Sequence, residues 1–160
     1  MTGNTEAEIT QAGSIPEAIT PPDTVRSFLH AFALGDHVSA LALVHPSIEY
    51  ANVGYTFTRK KKRIAGMFRA MDKAHIGFGV KLVNVTSDGP VVLTERVDEI
   101  SVGRFRMQFW VCGRFEVEGG LITVWRDYFD LIDTFRGALR GLVAMALPRI
   151  QKPLPKPAAQ

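Results

Sequence analysis

Val124-Trp125-Arg126-Asp127-Tyr128-Phe129-Asp130 reads as a β-strand with a carboxylate on the face where an apolar residue belongs. Side chains alternate across a strand. Leu121, Thr123, Trp125, Asp127, Phe129 and Leu131 would therefore share one face, apolar except for Thr123 and Asp127. Thr94-Glu95-Arg96-Val97-Asp98 repeats the anomaly upstream, with Arg96 and Asp98 on a common face. A carboxylate in such a place is costly unless paired or hydrogen-bonded. Two carboxylates and one arginine in two such strands read either as a structural ion pair or as an acid–base site.

Outward from these segments the pattern is that of a sheet. Residues 79–86, 91–100, 104–117 and 121–131 read as four strands. In the third, Phe105, Met107, Phe109, Val111, Phe115 and Val117 oppose Arg104, Arg106, Gln108, Arg114 and Glu116. Ser87-Asp88-Gly89-Pro90 and Glu118-Gly119-Gly120 supply the turns. Upstream, Val25, Phe28, Leu29 and Phe32 have helical spacing, with Asp23 as candidate cap and Gly35 as the stop. A short helix over 36–43 ends at His45-Pro46, a strand covers 48–53, a helix covers 58–73, and 133–147 suits a closing helix. Helices first, then a run of antiparallel strands, predict an α+β fold with helices on one face of the sheet. The chain divides into a disordered lead-in over 1–20, a single domain over 21–147 and a Pro-rich tail over 148–160.

Hydrophobic content of 46% over 160 residues allows one sizeable core. A net charge of +3 is too small for a nucleic-acid footprint, and Arg59-Lys60-Lys61-Lys62-Arg63 reads as the solvated first turns of a helix. The single cysteine, Cys112, excludes an intrachain disulfide and reads as a buried, inert thiol. There is neither a signal-peptide pattern nor an apolar run of membrane length, so the expectation is a cytoplasmic protein with no membrane and no nucleic-acid partner. The four histidines show no ligand spacing, and no phosphate loop, dinucleotide fingerprint or Gly-x-Ser-x-Gly elbow appears. No metal, nucleotide or flavin cofactor is expected.

Thr94-Glu95-Arg96-Val97-Asp98 and Trp125-Arg126-Asp127-Tyr128-Phe129-Asp130-Leu131 resemble the two signature strands of the limonene-1,2-epoxide hydrolase family. Tyr50-Ala51-Asn52 resembles that family's Tyr-x-Asn, and the resemblance runs from Pro21 to Gly141. It implies a curved mixed sheet forming a cone around helices, the cystatin-like or nuclear-transport-factor-two-like fold. It also implies roles. Asp98 would be the general acid on the epoxide oxygen, and Asp127 the general base on water. Tyr50 and Asn52 would hold that water, and Arg96 would bridge the two carboxylates by hydrogen bonds.

Opening an epoxide requires an activated water and a proton for the leaving oxygen. One neutral and one ionised carboxyl can do both. Burial raises a carboxyl pKa and arginine lowers it, and two close carboxylates share one proton. Phe105, Met107, Phe109, Trp125, Phe129 and Leu142 are candidates for an apolar lining or for plain core. The expected reaction is addition of water to a small lipophilic epoxide, giving a vicinal diol without a covalent intermediate. The rival readings on the same scaffold are a ketosteroid-isomerase-like enzyme and a non-catalytic hydrophobic-ligand-binding module. Phe and Met at alternate positions, read as the sheet's outer face, together with the resemblance, predict a homodimer.

Overall fold

A computed structural model describes residues 19–151, 153 and 154. Three helices come first or between the early strands: α1 Pro21–Ala33, α2 His37–Ala42 and α3 Lys61–Lys73. The strands are β1 Val44–Asn52, β2 Thr56–Thr58, β3 Ile76–Asp88, β4 Val91–Val102, β5 Phe105–Glu118 and β6 Leu121–Tyr128. Helix α4, Leu131–Ala146, follows, with a 3-10 turn at Pro148–Ile150. The strands form one sheet in the order β2-β1-β6-β5-β4-β3. β1 runs parallel to β6 and every other pairing is antiparallel, so the sheet is mixed. Apart from Ile19 and Thr20, the expected lead-in lies outside the described residues, as do residues 152 and 155–160 of the tail.

The apolar faces of α1 and α3 fill the concave side of the sheet. Val25, Phe28, Leu29 and Phe32 of α1 and Ile64 and Phe68 of α3 pack against Val44, Ile48, Val92, Phe115, Ile122 and Trp125. Phe28 meets the Trp125 ring edge-on with centroids 5.0 Å apart. This core occupies one end of the cone. Along β4 the inward positions run Val92, Thr94, Arg96, Asp98, so the sheet turns polar just beyond α1.

Several local expectations are corrected. Thr20, not Asp23, caps α1: its hydroxyl accepts from the Asp23 amide while the Asp23 carboxylate accepts from the Thr20 amide, a capping box with Pro21 in the first turn. The strand expected over 48–53 begins at Val44 and includes His45 and Pro46. Its register with β6 shifts between Val44 and Glu49, and that irregularity accommodates the proline. The helix expected over 58–73 begins at Lys61, because Thr58 closes a short strand instead: Gly54, at φ 86°, turns the chain back so that Thr56–Thr58 pairs with β1. A bulge opposite Glu116 and Val117 places Ile122, rather than Leu121, on the Trp125 face. Phe129 and Leu131 lie beyond the end of β6. Cys112 is exposed, not buried. Phe105, Met107, Phe109 and Phe115 lie on the inward face with Val111, so the outer face presents Leu93, Trp110 and Tyr128 instead.

Helix α4 solves an edge problem. β5 is longer than β6, and among the described residues its Phe105–Val111 half has no strand partner on that side. Gly137 and Gly141 of α4 rest on the Gln108 and Arg106 carbonyls, where a Cβ would collide with the backbone. Asp133 accepts from the Trp110 amide at 2.9 Å, and Arg140 donates to the Gln108 carbonyl. The helix thereby covers an edge that would otherwise pair with another chain.

Candidate active site

Strand register assembles the site. Thr94 on β4 pairs with Gly113 on β5, Gly113 with Asp127 on β6, and Asp127 with Asn52 on β1. One rung of the sheet therefore carries a threonine, a glycine, an aspartate and an asparagine on its concave face. Toward the mouth stand Arg96 opposite Val111 and Asp98 opposite Phe109. On the core side Tyr50 pairs with Trp125, the two rings 4.4 Å apart. All five residues singled out from the sequence, Tyr50, Asn52, Arg96, Asp98 and Asp127, meet here.

Arg96 is fully buried, and its three nitrogens point three ways. Nε donates to Asp98 Oδ1 at 2.9 Å, and Nη1 donates to Thr94 Oγ1 at 3.1 Å. Nη2 lies 2.7 Å from Asp127 Oδ1, but the contact lacks hydrogen-bond alignment. The bridge is thus a hydrogen bond to one carboxylate and an ion pair to the other. Phe115 lies under the guanidinium, 5.9 Å from ring centre to Cζ.

The electrostatics follow from burial. Asp98 and Asp127 are only 4% and 6% exposed. Burial pushes the Asp98 carboxyl up to about 6; Arg96 opposes the rise and the charge of Asp127 adds to it. Burial also raises Asp127, against Arg96 and the Trp125 indole, which both favour its ionised form. The Trp125 Nε1 is itself buried with no hydrogen-bond acceptor in good geometry. Tyr50 is pushed up to about 12, chiefly by burial and then by the charge of Asp127, with Asn52 opposing. It therefore stays a neutral hydroxyl at physiological pH.

An aromatic cluster begins at Phe109, the strand neighbour of Asp98. Tyr55, on the β1–β2 turn, stacks on Phe129 at 5.3 Å, and Phe129 meets Phe109 edge-on at 5.7 Å. Of the other lining candidates, Trp125 belongs to the core, Phe105 lies against Gly141, and Leu142 is exposed on α4. A groove of about 490 Å³ lined by Glu49, Tyr55, Phe57, Arg126 and Tyr128 opens on the opposite face of the sheet and contains none of the five residues, so Tyr55 borders this groove as well as Phe129. Among the described residues no cluster of three His, Cys, Asp or Glu side chains suits a metal ion. Sequence reasoning missed Thr94 and Gly113. A glycine interrupting the alternation of β5 was the available signal, since such a glycine marks a close approach.

A model of the limonene-1,2-epoxide hydrolase catalytic domain matches residues 19–140. Epoxide hydrolase EphG of Mycobacterium tuberculosis is 45% identical over 130 residues, 81% of this chain and 87% of that protein. A solved M. tuberculosis LEH-like epoxide hydrolase superposes with a TM-score of 0.80 at 43% identity, covering 84% of this chain and 95% of that one. A protein of ketosteroid isomerase-like fold from Catenulispora acidiphila superposes with a TM-score of 0.64, covering 73% of this chain and 92% of that one. At 16% identity that likeness concerns the fold alone. Matched over most of its length by the catalytic-domain model and by a close relative, the chain belongs to the limonene-1,2-epoxide hydrolase family and is an epoxide hydrolase.

Proposed function

We propose that this enzyme adds water to a lipophilic epoxide in one step, with Asp127 as general base and Asp98 as general acid. The observation that carries the reading is the buried Arg96 guanidinium set between two carboxylates, one of them flanked by Asn52 and Tyr50. Asp127 takes the base role because it stands beside Asn52 and Tyr50, where a water can be held, and Arg96 and Trp125 favour its charge against the burial that raises its carboxyl. That charge in turn favours the proton on Asp98. Neutral Tyr50 and Asn52 offer the donor and acceptor atoms that orient a water beside Asp127.

In the reaction the water oxygen bonds to an epoxide carbon as that carbon's bond to the ring oxygen breaks. Asp127 takes the water proton and Asp98 gives its proton to the departing oxygen. The diol forms with inversion at the attacked carbon. Asp127 then holds a proton that must return to Asp98 before the next turnover. The aromatic cluster of Tyr55, Phe109 and Phe129 favours an apolar substrate body.

A single turnover in heavy-oxygen water with enzyme in excess tests the direct attack. The label is expected in the first diol formed. Unlabelled first diol, with label in Asp98 or Asp127, would replace this mechanism with an ester intermediate.

The pH dependence follows in sign. Asp98 works protonated, so activity falls as pH rises through its pKa of about 6. Asp127 works ionised, so activity falls again as pH drops through its own pKa. A kcat/KM profile should be bell-shaped, with an alkaline midpoint near pH 6. A profile flat from pH 5 to pH 9 would be incompatible with this pair, by the same reasoning on titrating acid and base.

We further infer a cytoplasmic homodimer that meets through the outer face of the sheet, where Leu93, Trp110 and Tyr128 stand exposed beside the Glu49–Arg126 groove. Light scattering should give twice the chain mass for the wild type and the chain mass for Trp110→Glu. A dimeric Trp110→Glu protein would rule out that face.

A further inference from the structure

We propose that Gly113 and Thr94 are positioning residues for Arg96: the glycine leaves the gap through which the arginine crosses β5 to reach Asp127, and the threonine hydroxyl fixes its rotation there. The inference rests on the acid–base reading above and extends it to two residues that act through Arg96.

The geometry begins with the strand order. Arg96 is on β4 and Asp127 is on β6, with β5 between them. Any side chain from the intervening strand on that rung would stand between the two. The residue there is Gly113, paired on one side with Thr94 and on the other with Asp127. A Cβ built on Gly113 would overlap Arg96 Nη1, approach Thr94 Oγ1 to 2.6 Å and approach Phe115 Cε2 to 2.9 Å. Ordinary carbon contacts are roughly 3.5–4.0 Å, so even a methyl group must displace the guanidinium. The φ of Gly113 is not positive. Backbone freedom therefore does not explain the glycine, whereas space does.

Thr94 completes the seat. Its Oγ1 accepts from Arg96 Nη1 at 3.1 Å and donates to the Gly113 carbonyl at 3.5 Å. The one hydroxyl proton and one lone pair suffice for both contacts. Asp98 holds one edge of the guanidinium and Asp127 faces another. With only those two, the planar group could tilt between its carboxylates. The third contact sets the plane, so that Nε serves Asp98 while Nη2 serves Asp127. A buried donor left unpaired is costly, so removing the hydroxyl should move the guanidinium rather than leave it in place.

Thr94→Val keeps the shape and removes the acceptor, Thr94→Ser keeps the acceptor, and Gly113→Ala fills the gap. The expected result is ~10- to 100-fold loss of kcat in Thr94→Val, the size of one hydrogen bond to a charged group, with KM little changed. Thr94→Ser should stay within about threefold of wild type, since only a methyl group is lost. Gly113→Ala should lose at least as much kcat as Thr94→Val. Thermal unfolding of each variant separates this from a packing role, which would lower the melting temperature and leave kcat of the folded protein intact. If Thr94→Val does not fold, Thr94→Ala takes its place.

A folded Thr94→Val or Thr94→Ala enzyme with wild-type kcat overturns the proposal, as does Thr94→Ser as impaired as Thr94→Val, or a fully active Gly113→Ala. Asp98→Asn is assayed alongside. If it too is active, the acid–base reading has failed; if it is inactive while the Thr94 and Gly113 variants are normal, only the present inference has.

Discussion

Asp98→Asn and Asp127→Asn are each expected to lose ~10²–10⁴-fold in kcat, the usual worth of one obligatory proton transfer. Asparagine keeps the shape and the hydrogen-bonding edge but can neither give nor take the proton. The double variant should be scarcely worse than either single one, because the two carboxyls act as a unit. Stability should move the other way for Asp98. Its carboxyl is raised from 3.8 to about 6 in the folded chain, so the folded state binds the proton more tightly than the unfolded one. That contribution is fully present below pH 3.8 and is lost as pH rises through about 6. Asp98→Asn removes the buried negative charge and leaves Arg96 with Asp127. Its melting temperature at neutral pH should therefore equal or exceed that of the wild type, with the margin closing at low pH. More than a tenth of wild-type turnover in either folded variant would end the assignment.

Arg96→Ala is expected to be the most damaging single substitution for the fold and the site together. It leaves two buried carboxylates with no cation, and breaking a buried ion pair costs about 3–5 kcal/mol. Folded protein should be recovered best at acid pH, where the carboxyls take up protons. Arg96→Lys separates charge from geometry. Lysine restores a positive charge but not the planar fork that addresses Asp98, Asp127 and Thr94 from three nitrogens. Its stability should be partly restored, and its kcat should fall nearly as far as that of Arg96→Ala. Normal turnover in Arg96→Lys would reduce the arginine to a counter-charge.

Much of this was legible in the chain because strand alternation is a local property. The period of two placed Arg96 beside Asp98 and Tyr50 beside Asn52, and both pairs do share concave faces. The same period misplaced Leu121, because the bulge before Trp125 depends on the pairing of β6 with β5 rather than on β6 alone. It also could not say which face of β5 would be covered. The alternation of Phe105, Met107 and Phe109 is equally regular either way, and only the packing of α1 and α3 against the sheet makes their face the inner one.

The chain's residue order settles which residues can share a face, where the turns fall and, through three short segments, the family. It cannot settle distance across strands. The proximity of Asp98 to Asp127 arises from the order β6-β5-β4 and from the absence of a side chain at Gly113. The raised carboxyls likewise come from burial, which depends on the packed sheet and not on the local sequence. Carboxylates and an arginine were visible from the start. That they meet on one buried patch of the concave face, with the arginine crossing an intervening strand to join them, is a consequence of strand register and packing, which only the folded sheet brings about.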